Sequence, residues 1–327
     1  MCLSAALLAG CTDSPAAPGD SSSPSMLRGQ TVNAIDGATL SGIEVQVGNE
    51  RAVTTDGTGS FDVEVGGPGS YATVIRGTSV VERYTSISAT SGDRLRMPLI
   101  PATFDLAAFD QLMRATNRRL QRWTTQPQLV LVATVLSYRG ASGEEYPATS
   151  HQMSGEEVAE MIEHLTEGLS LLTGGTYSRF STVTVERPAS GERVAAARMG
   201  KIVVAEYNGI TSLDGTIGYG TWAETDNGSV VAGAMYLDRD FDHDDARRRL
   251  LRIHELGHAL GYLHVTSRPS IMNPSIGPEP TDFDREAALI GFQRPPGNVA
   301  PDTDPQPATS ASKSAGPTEV RWSPPVP

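Results

Sequence analysis

Residues 254 to 264 read His-Glu-Leu-Gly-His-Ala-Leu-Gly-Tyr-Leu-His. On an α-helix His254 and His258 stand four residues apart, about 400° of turn and about 6 Å of rise, so both imidazoles leave one face and can share one metal ion. Glu255 lies about 100° round the helix, beside that ion, where a carboxylate can act on metal-bound water without ligating. His264 cannot join them on a continued helix. Ten residues would carry it about 15 Å along the axis, whereas nitrogens bound to one ion at about 2.0–2.1 Å lie only a few ångströms apart. The spacing therefore predicts a helix break, and Gly261 is placed to make it, because glycine enters the left-handed region without steric cost. Three histidine ligands, an open fourth position and a carboxylate base are the parts of zinc-assisted hydrolysis. With 6 His, 33 Gly and 38 acidic residues in 327, chance would produce this spacing at a level on the order of 10⁻⁵, which sets aside unrelated core or surface histidines. A metal site kept without catalysis stays open as the alternative.

Long elements are needed to hold such a group. Phe104 to Arg122 carries Phe109, Leu112, Met113 and Leu120 at helical spacing and predicts an amphipathic helix. Gln128 to Tyr138 is a nearly continuous apolar run, as in the middle of a sheet. Ser154 to Glu157 is a capping box that opens a helix with Val158, Met161, Ile162, Leu165, Leu169 and Leu172 on one face, stopping at Gly174-Gly175. Strands are predicted at Thr182 to Glu186, Ile202 to Tyr207 and Val230 to Leu237, then the histidine helix from about Asp244 to Leu260 and a short helix opened by Thr281. His151, His164 and His243 have no partner spacing and are assigned to the surface. Five aspartates fall within Asp238 to Asp245 and offer oxygen ligands to Ca2+; a solvated helix start favoured by the helix dipole is the competing assignment.

Residues 27 to 100 differ in texture. Ile43 to Val47, Phe61 to Val65 and Tyr71 to Ile75 alternate at period two between turns at Asp36-Gly37, Asp56-Gly57 and Gly66-Gly67, which predicts a small β-sandwich. Residues 12–26 are rich in Ser, Pro, Asp and Gly and read as a linker; residues 298–327, with many Pro, Ser, Thr and Ala, read as a disordered tail. The formal charge of −12 disfavours a phosphate backbone, so no nucleic-acid partner is expected. Nothing in the chain reaches the roughly 18 apolar residues of a transmembrane helix. Cys2 and Cys11 are the two cysteines, so no disulfide framework and no cysteine-ligated metal belongs to the folded part.

The histidine stretch resembles the zinc signature of the metzincin metallopeptidases, and Ser270-Ile-Met272-Asn-Pro274 resembles their Met-turn. With the closing run from Thr281 to Asn298, the likeness is greatest to the matrixin branch and spans about residues 103–297. It implies a metzincin-like catalytic domain, a twisted mixed sheet with a zinc helix, within an α+β chain. It further implies that Met272 supports the histidines without ligating, and that Val230 to Leu237 is the edge along which a peptide or protein substrate pairs. No tyrosine follows Met272 within two residues, and no cysteine occurs in residues 12–327, which removes a cysteine-based latency. Thr55-Asp-Gly-Thr-Gly-Ser-Phe61 and the strands around it resemble the carboxypeptidase regulatory-like sandwich. Leu8-Ala-Gly-Cys11 resembles a bacterial lipoprotein signal over residues 1–11, implying lipidation of Cys11 and an extracytoplasmic protein anchored to the cell envelope. The resulting expectation is a monomeric zinc endopeptidase in which Glu255 assists attack by zinc-bound water. The competing class is a cell-surface binding or adhesin protein with an inert metal domain.

Overall fold

The computed structural model describes residues 25–89, 94–114, 118–140, 145–306 and 319–327. Cys11, the signal at 1–11 and the linker up to residue 24 lie outside the described residues. The chain is a mixed α+β structure. Its first part holds β1 (Ser25–Asn33), β2 (Glu44–Val47), β3 (Val53–Thr54), β4 (Ser60–Val65), β5 (Gly69–Arg76), β6 (Arg83–Ala89) and β7 (Arg94–Leu99). They form a sheet of order β4-β1-β7 and another of order β3-β2-β5-β6. The period-two alternation works as expected on β4, where Phe61, Val63 and Val65 are buried and Asp62 and Glu64 exposed. Those three join Leu27, Val45, Val47, Ile75, Ile87 and Leu99 in one apolar cluster, each side chain contributing about 1.5–3 kcal/mol when fully buried. The turn before β4 is set by Asp56, whose carboxylate accepts the Thr58 and Ser60 N–H groups at 2.8 and 2.9 Å.

The second part contains α1 (Leu106–Met113), β8 (Arg122–Trp123), β9 (Gln128–Ser137), β10 (Glu145–Gln152), α2 (Gly155–Leu172), β11 (Val183–Glu186), β12 (Arg193–Ala195) and β13 (Lys201–Asn208). It continues with α3 (Ile210–Asp214), β14 (Gly218–Thr225), β15 (Ser229–Asp238), α4 (Arg239–Asp244), α5 (Arg248–Ala259), α6 (Asp282–Phe292) and β16 (Val320–Trp322). The main sheet runs β12-β10-β9-β13-β15-β14-β16, with β11 also on β9 and β8 on β15. β9, β13 and β15 are parallel to one another, and β14 lies antiparallel on β15. Ser154 caps α2 through the full capping box, as its sequence requires.

Four expectations need correction. The helix placed at 104–122 ends at Met113, after which Leu120, Gln121 and Arg122 donate to Asn298, Met113 and Gly228 carbonyls and carry the chain into β8. The helix placed from about Asp244 to Leu260 begins four residues later, at Arg248, because Asp245 adopts an extended conformation that separates it from the short α4 before it. Val230 to Leu237 is not an edge: β15 is bonded to β13 on one side and β14 on the other, so its backbone groups are already taken. Residues 298–306 and 319–327 are ordered rather than a disordered tail, because the structure supplies partners for their polar groups. Asp302, 0% exposed, is held bidentately by Arg294 at 2.7 and 2.7 Å, and Asp304 pairs with Arg83 of β6 at 2.8 Å. Asn298 donates to both aspartates.

α5 is clamped between α2 and the sheet. Gly220 and Gly233 let it approach, since a Cβ on Gly220 would fall 2.2 Å from the His258 Cβ and one on Gly233 would fall 2.6 Å from the Ala259 carbonyl oxygen. On the other side Gly168 of α2 faces Leu256 and Ile253. Ion pairs fix the register: Arg248 with Glu160 at 2.8 Å, Arg249 with Glu167, and Arg252 with buried Asp242 at 2.8 Å.

The Arg83–Asp304 pair joins the first part of the chain to the segment after α6. Both side chains are 7% exposed, and removing one partner of a buried pair leaves the other charge uncompensated. Arg83→Ala is expected to cost about 3–5 kcal/mol of unfolding free energy. Arg76→Ala, which breaks the exposed pair with Glu82, is expected to change little. Denaturant unfolding of the two variants checks the contrast.

Candidate metal centre

His254 and His258 project from one face of α5 with their Nε2 atoms 3.1 Å apart. The helix then ends in a Schellman turn. Gly261, at φ +100°, donates to the His258 carbonyl at 2.9 Å, and Tyr262 donates to the Gly257 carbonyl at 2.9 Å. The reversal returns His264, whose Nε2 lies 3.2 Å from the Nε2 of each of the other two. Its neighbours are tied on both sides, Leu263 to the Leu112 carbonyl of α1 and Val265 to the Met272 carbonyl, each at 2.8 Å. The helix break expected at Gly261 is therefore present, and the three histidines come together.

The hydrogen bonds behind the rings decide the tautomers. His254 Nδ1 meets the Ile271 carbonyl at 2.8 Å and His258 Nδ1 meets the Tyr262 carbonyl at 2.7 Å. A carbonyl only accepts, so Nδ1 carries the proton and Nε2 of each neutral ring presents a lone pair. Burial pushes the His254 pKa down to about 4 against the opposing bond to Ile271. His258 is pushed well below its ordinary value by burial and then by His254, and His264 is lowered by burial. Burial thus works against the protonated, non-ligating form of all three rings. Tetrahedral Zn–N bonds of about 2.0–2.1 Å would set nitrogens about 3.3–3.4 Å apart, close to the spacing observed. Among the described residues these three form the one His/Cys/Asp/Glu group with converging donor atoms.

Glu255 is 1% exposed and its Oε2 has no hydrogen-bond partner. Burial alone pushes its pKa well above the ordinary carboxylate value. Gly218 of β14 leaves the room it needs, since a Cβ there would come within 2.8 Å of Oε1. His254, Glu255 and His264 line a cavity of about 670 Å³ whose other walls include Ile217, Phe241, Leu251 and Ile276. Met272 is fully buried beneath this group: a Cβ on Gly257, between the two helical ligands, would lie 2.4 Å from its Sδ. Met272 thus lies under the helix turn that carries both rings.

Asp284 and the glycines of β14 were not singled out by the sequence. Asp284 of α6, 1% exposed, accepts from the Ser270 hydroxyl and from the Ile271 N–H at 3.1 Å, and so holds the loop whose Ile271 carbonyl orients His254. Its one sequence signal was its place three residues after the Thr281 cap, where it also completes a capping box. The five aspartates at 238–245 do not converge. Asp238 caps α4, Asp242 pairs with Arg252, and Asp245 pairs with Arg247. His151, His164 and His243 join the ion-pair lattice of α2, α4 and α5 through Arg239, Arg252 and Glu157 rather than the triad.

No family model and no curated protein matches this chain. Among solved structures it is similar to the Bacillus anthracis TIE protein at 9% identity and a TM-score of 0.21, over 65% of this chain and 41% of that one. This chain thus spans less than half of that protein's length.

Asp284→Ala frees the Ser270–Ile271 loop and leaves the His254 ring less constrained. Zinc affinity, measured by chelator competition, is expected to fall about 10- to 100-fold. Gly261→Val forces a β-branched residue to positive φ and pushes its side chain toward Val230, 3.0 Å from a Cβ there. It is expected to weaken zinc binding together with His264→Ala in the same assay, because both withdraw the third ligand; unchanged affinity in both would contradict the turn's role.

Proposed function

We propose that the chain is a zinc-dependent endopeptidase of metzincin-like architecture, closest to the matrixin branch. What supports this is one juxtaposition: three imidazoles with Nε2 atoms 3.1–3.2 Å apart, beside the unpartnered carboxylate of Glu255, in a group of which His254, His264 and Glu255 line one cavity. His254, His258 and His264 would hold the ion. When bound, zinc supplies Lewis acidity, polarising a carbonyl and lowering the pKa of a coordinated water to about 7.

The chain's own residues do the rest. Glu255 accepts the proton of the attacking water at a carboxylate oxygen as the water oxygen bonds to the scissile carbonyl carbon. It then hands that proton to the leaving nitrogen as the C–N bond breaks. The partly apolar cavity walls exclude bulk water and receive a substrate side chain. An extended substrate would add as a strand along the outer side of β14, which β16 and Val326 occupy in this structure, rather than along β15. The first part of the chain is read as a carboxypeptidase regulatory-like β-sandwich, a spacer between this domain and a lipid anchor at Cys11 on the outside of the cell envelope.

Glu255→Ala is expected to retain about one zinc per chain, since all three ligands remain, and to lose peptide hydrolysis by about 10²- to 10⁴-fold or more. Metal analysis beside cleavage of a quenched peptide library, with and without chelator, checks this. Equal hydrolysis by variant and parent would sink the mechanism.

A further inference from the structure

Residues 320–327 lie on the outer side of β14 and run antiparallel to it toward the histidines. Val320, Arg321 and Trp322 pair with Thr225, Glu224 and Ala223. The Ser323 N–H donates to the Trp222 carbonyl at 2.8 Å, and the Ser323 hydroxyl accepts the Trp222 N–H at 3.0 Å. Val326 and Gly220 then exchange two backbone bonds of 2.8 and 3.0 Å. Gly220 is the position at which β14 rests directly on His258, so this pairing carries the segment past the metal ligands. Pro327 beyond it lines the same cavity as His254, Glu255 and His264. Val326 also packs against the main apolar core, while Trp322 is 40% exposed, which makes Val326 the anchor.

These are the backbone groups that an extended substrate would need. One side of β14 is spent on β15 and the other on this segment. We propose that residues 320–327 form an autoinhibitory strand, bound in cis along β14, that holds the substrate-pairing edge and the mouth of the cavity until another extended peptide displaces it. The proposal rests on the peptidase assignment above for the meaning of the edge, though not for the occupancy itself. The composition suits a displaceable occupant. Pro324, Pro325 and Pro327 have no N–H to add to the ladder, while their locked φ keeps the segment extended at little entropic cost. Ser323 and Val326 are left as the backbone donors of that stretch.

The test compares the full chain with the full chain carrying Ser323→Pro and Val326→Pro, which removes both donors. The probe is a fluorescently labelled synthetic peptide with the sequence of residues 319–327, followed by anisotropy and used with both chains in the Glu255→Ala background. If the cis strand occupies the edge, the peptide binds the double variant about tenfold or more tightly than the parent. In chains that retain Glu255, KM for a quenched peptide then falls by a similar factor with kcat unchanged. Equal peptide affinity for the two chains, or no binding to either, overturns the proposal. Should the double variant not fold, Val326→Gly keeps the backbone bonds and removes the anchor, so the same comparison holds with a smaller factor. A clear affinity difference without hydrolysis in any chain would overturn the peptidase assignment and leave the cis occupancy standing.

Discussion

The Nε2 lone pairs of His254 and His258 face each other at 3.1 Å, with the Nε2 of His264 at 3.2 Å from both, and the surrounding chain is built to hold the two helical rings against that repulsion. Carbonyl oxygens behind His254 and His258 enforce the tautomer that creates the repulsion, because each takes the Nδ1 proton and leaves Nε2 bare. The restraint then passes outward. Asp284 fixes Ser270 and Ile271, Ile271 orients His254, and the Schellman turn supplies both the Tyr262 carbonyl for His258 and the reversal that returns His264. A cation would relieve such an arrangement, because a shared positive charge turns facing lone pairs from a repulsion into ligation.

A second constraint follows from the first. The histidine helix must lie almost on the sheet, so that β14 passes over Glu255 and His258, and only residues without a Cβ permit that at Gly218 and Gly220. This explains what the sequence could and could not reveal. The ligand spacing was legible because helix geometry dictates it, and Gly261 because one helix cannot bring His254 and His264 together. The Ser154 capping box and the central strands were legible from local pattern as well. β14 was not, because the glycines that suit Gly218 to Thr225 to its place against the helix remove the β-branched alternation by which strands are recognised. A substrate edge was consequently expected on the apolar strand beside it, which lies between β13 and β14.

Residues 298–306 show the same limit from another side. Pro, Asp and Asn in sequence read as unstructured chain, since charged groups are almost never fully buried unless paired. Here they are paired, but with Arg294, Arg114 and Arg83, the last 221 residues away along the chain. Composition registers the polar groups and is blind to partners that only tertiary structure delivers. The buried network also places the first part of the chain against the segment that closes the second, so the two share polar contacts as well as a boundary.

An exposed sheet edge is a hazard, because its unpaired N–H and C=O groups template pairing with any extended chain. An edge that must receive a peptide cannot be blunted permanently by a bulge or an inward charge without losing that capacity. Covering it with a segment of the same chain resolves the conflict if the cover is neither too strong nor too weak. Pairing at Val320 to Ser323 and again at Val326, separated by two prolines that contribute no donor, divides the ladder into two short stretches. A competing strand can displace the stretch nearest the histidines first, against two backbone bonds and one partly buried valine, while the rest of the segment keeps its place on β14. The proline content that made this part of the sequence look unstructured is thus the feature that keeps the cover removable.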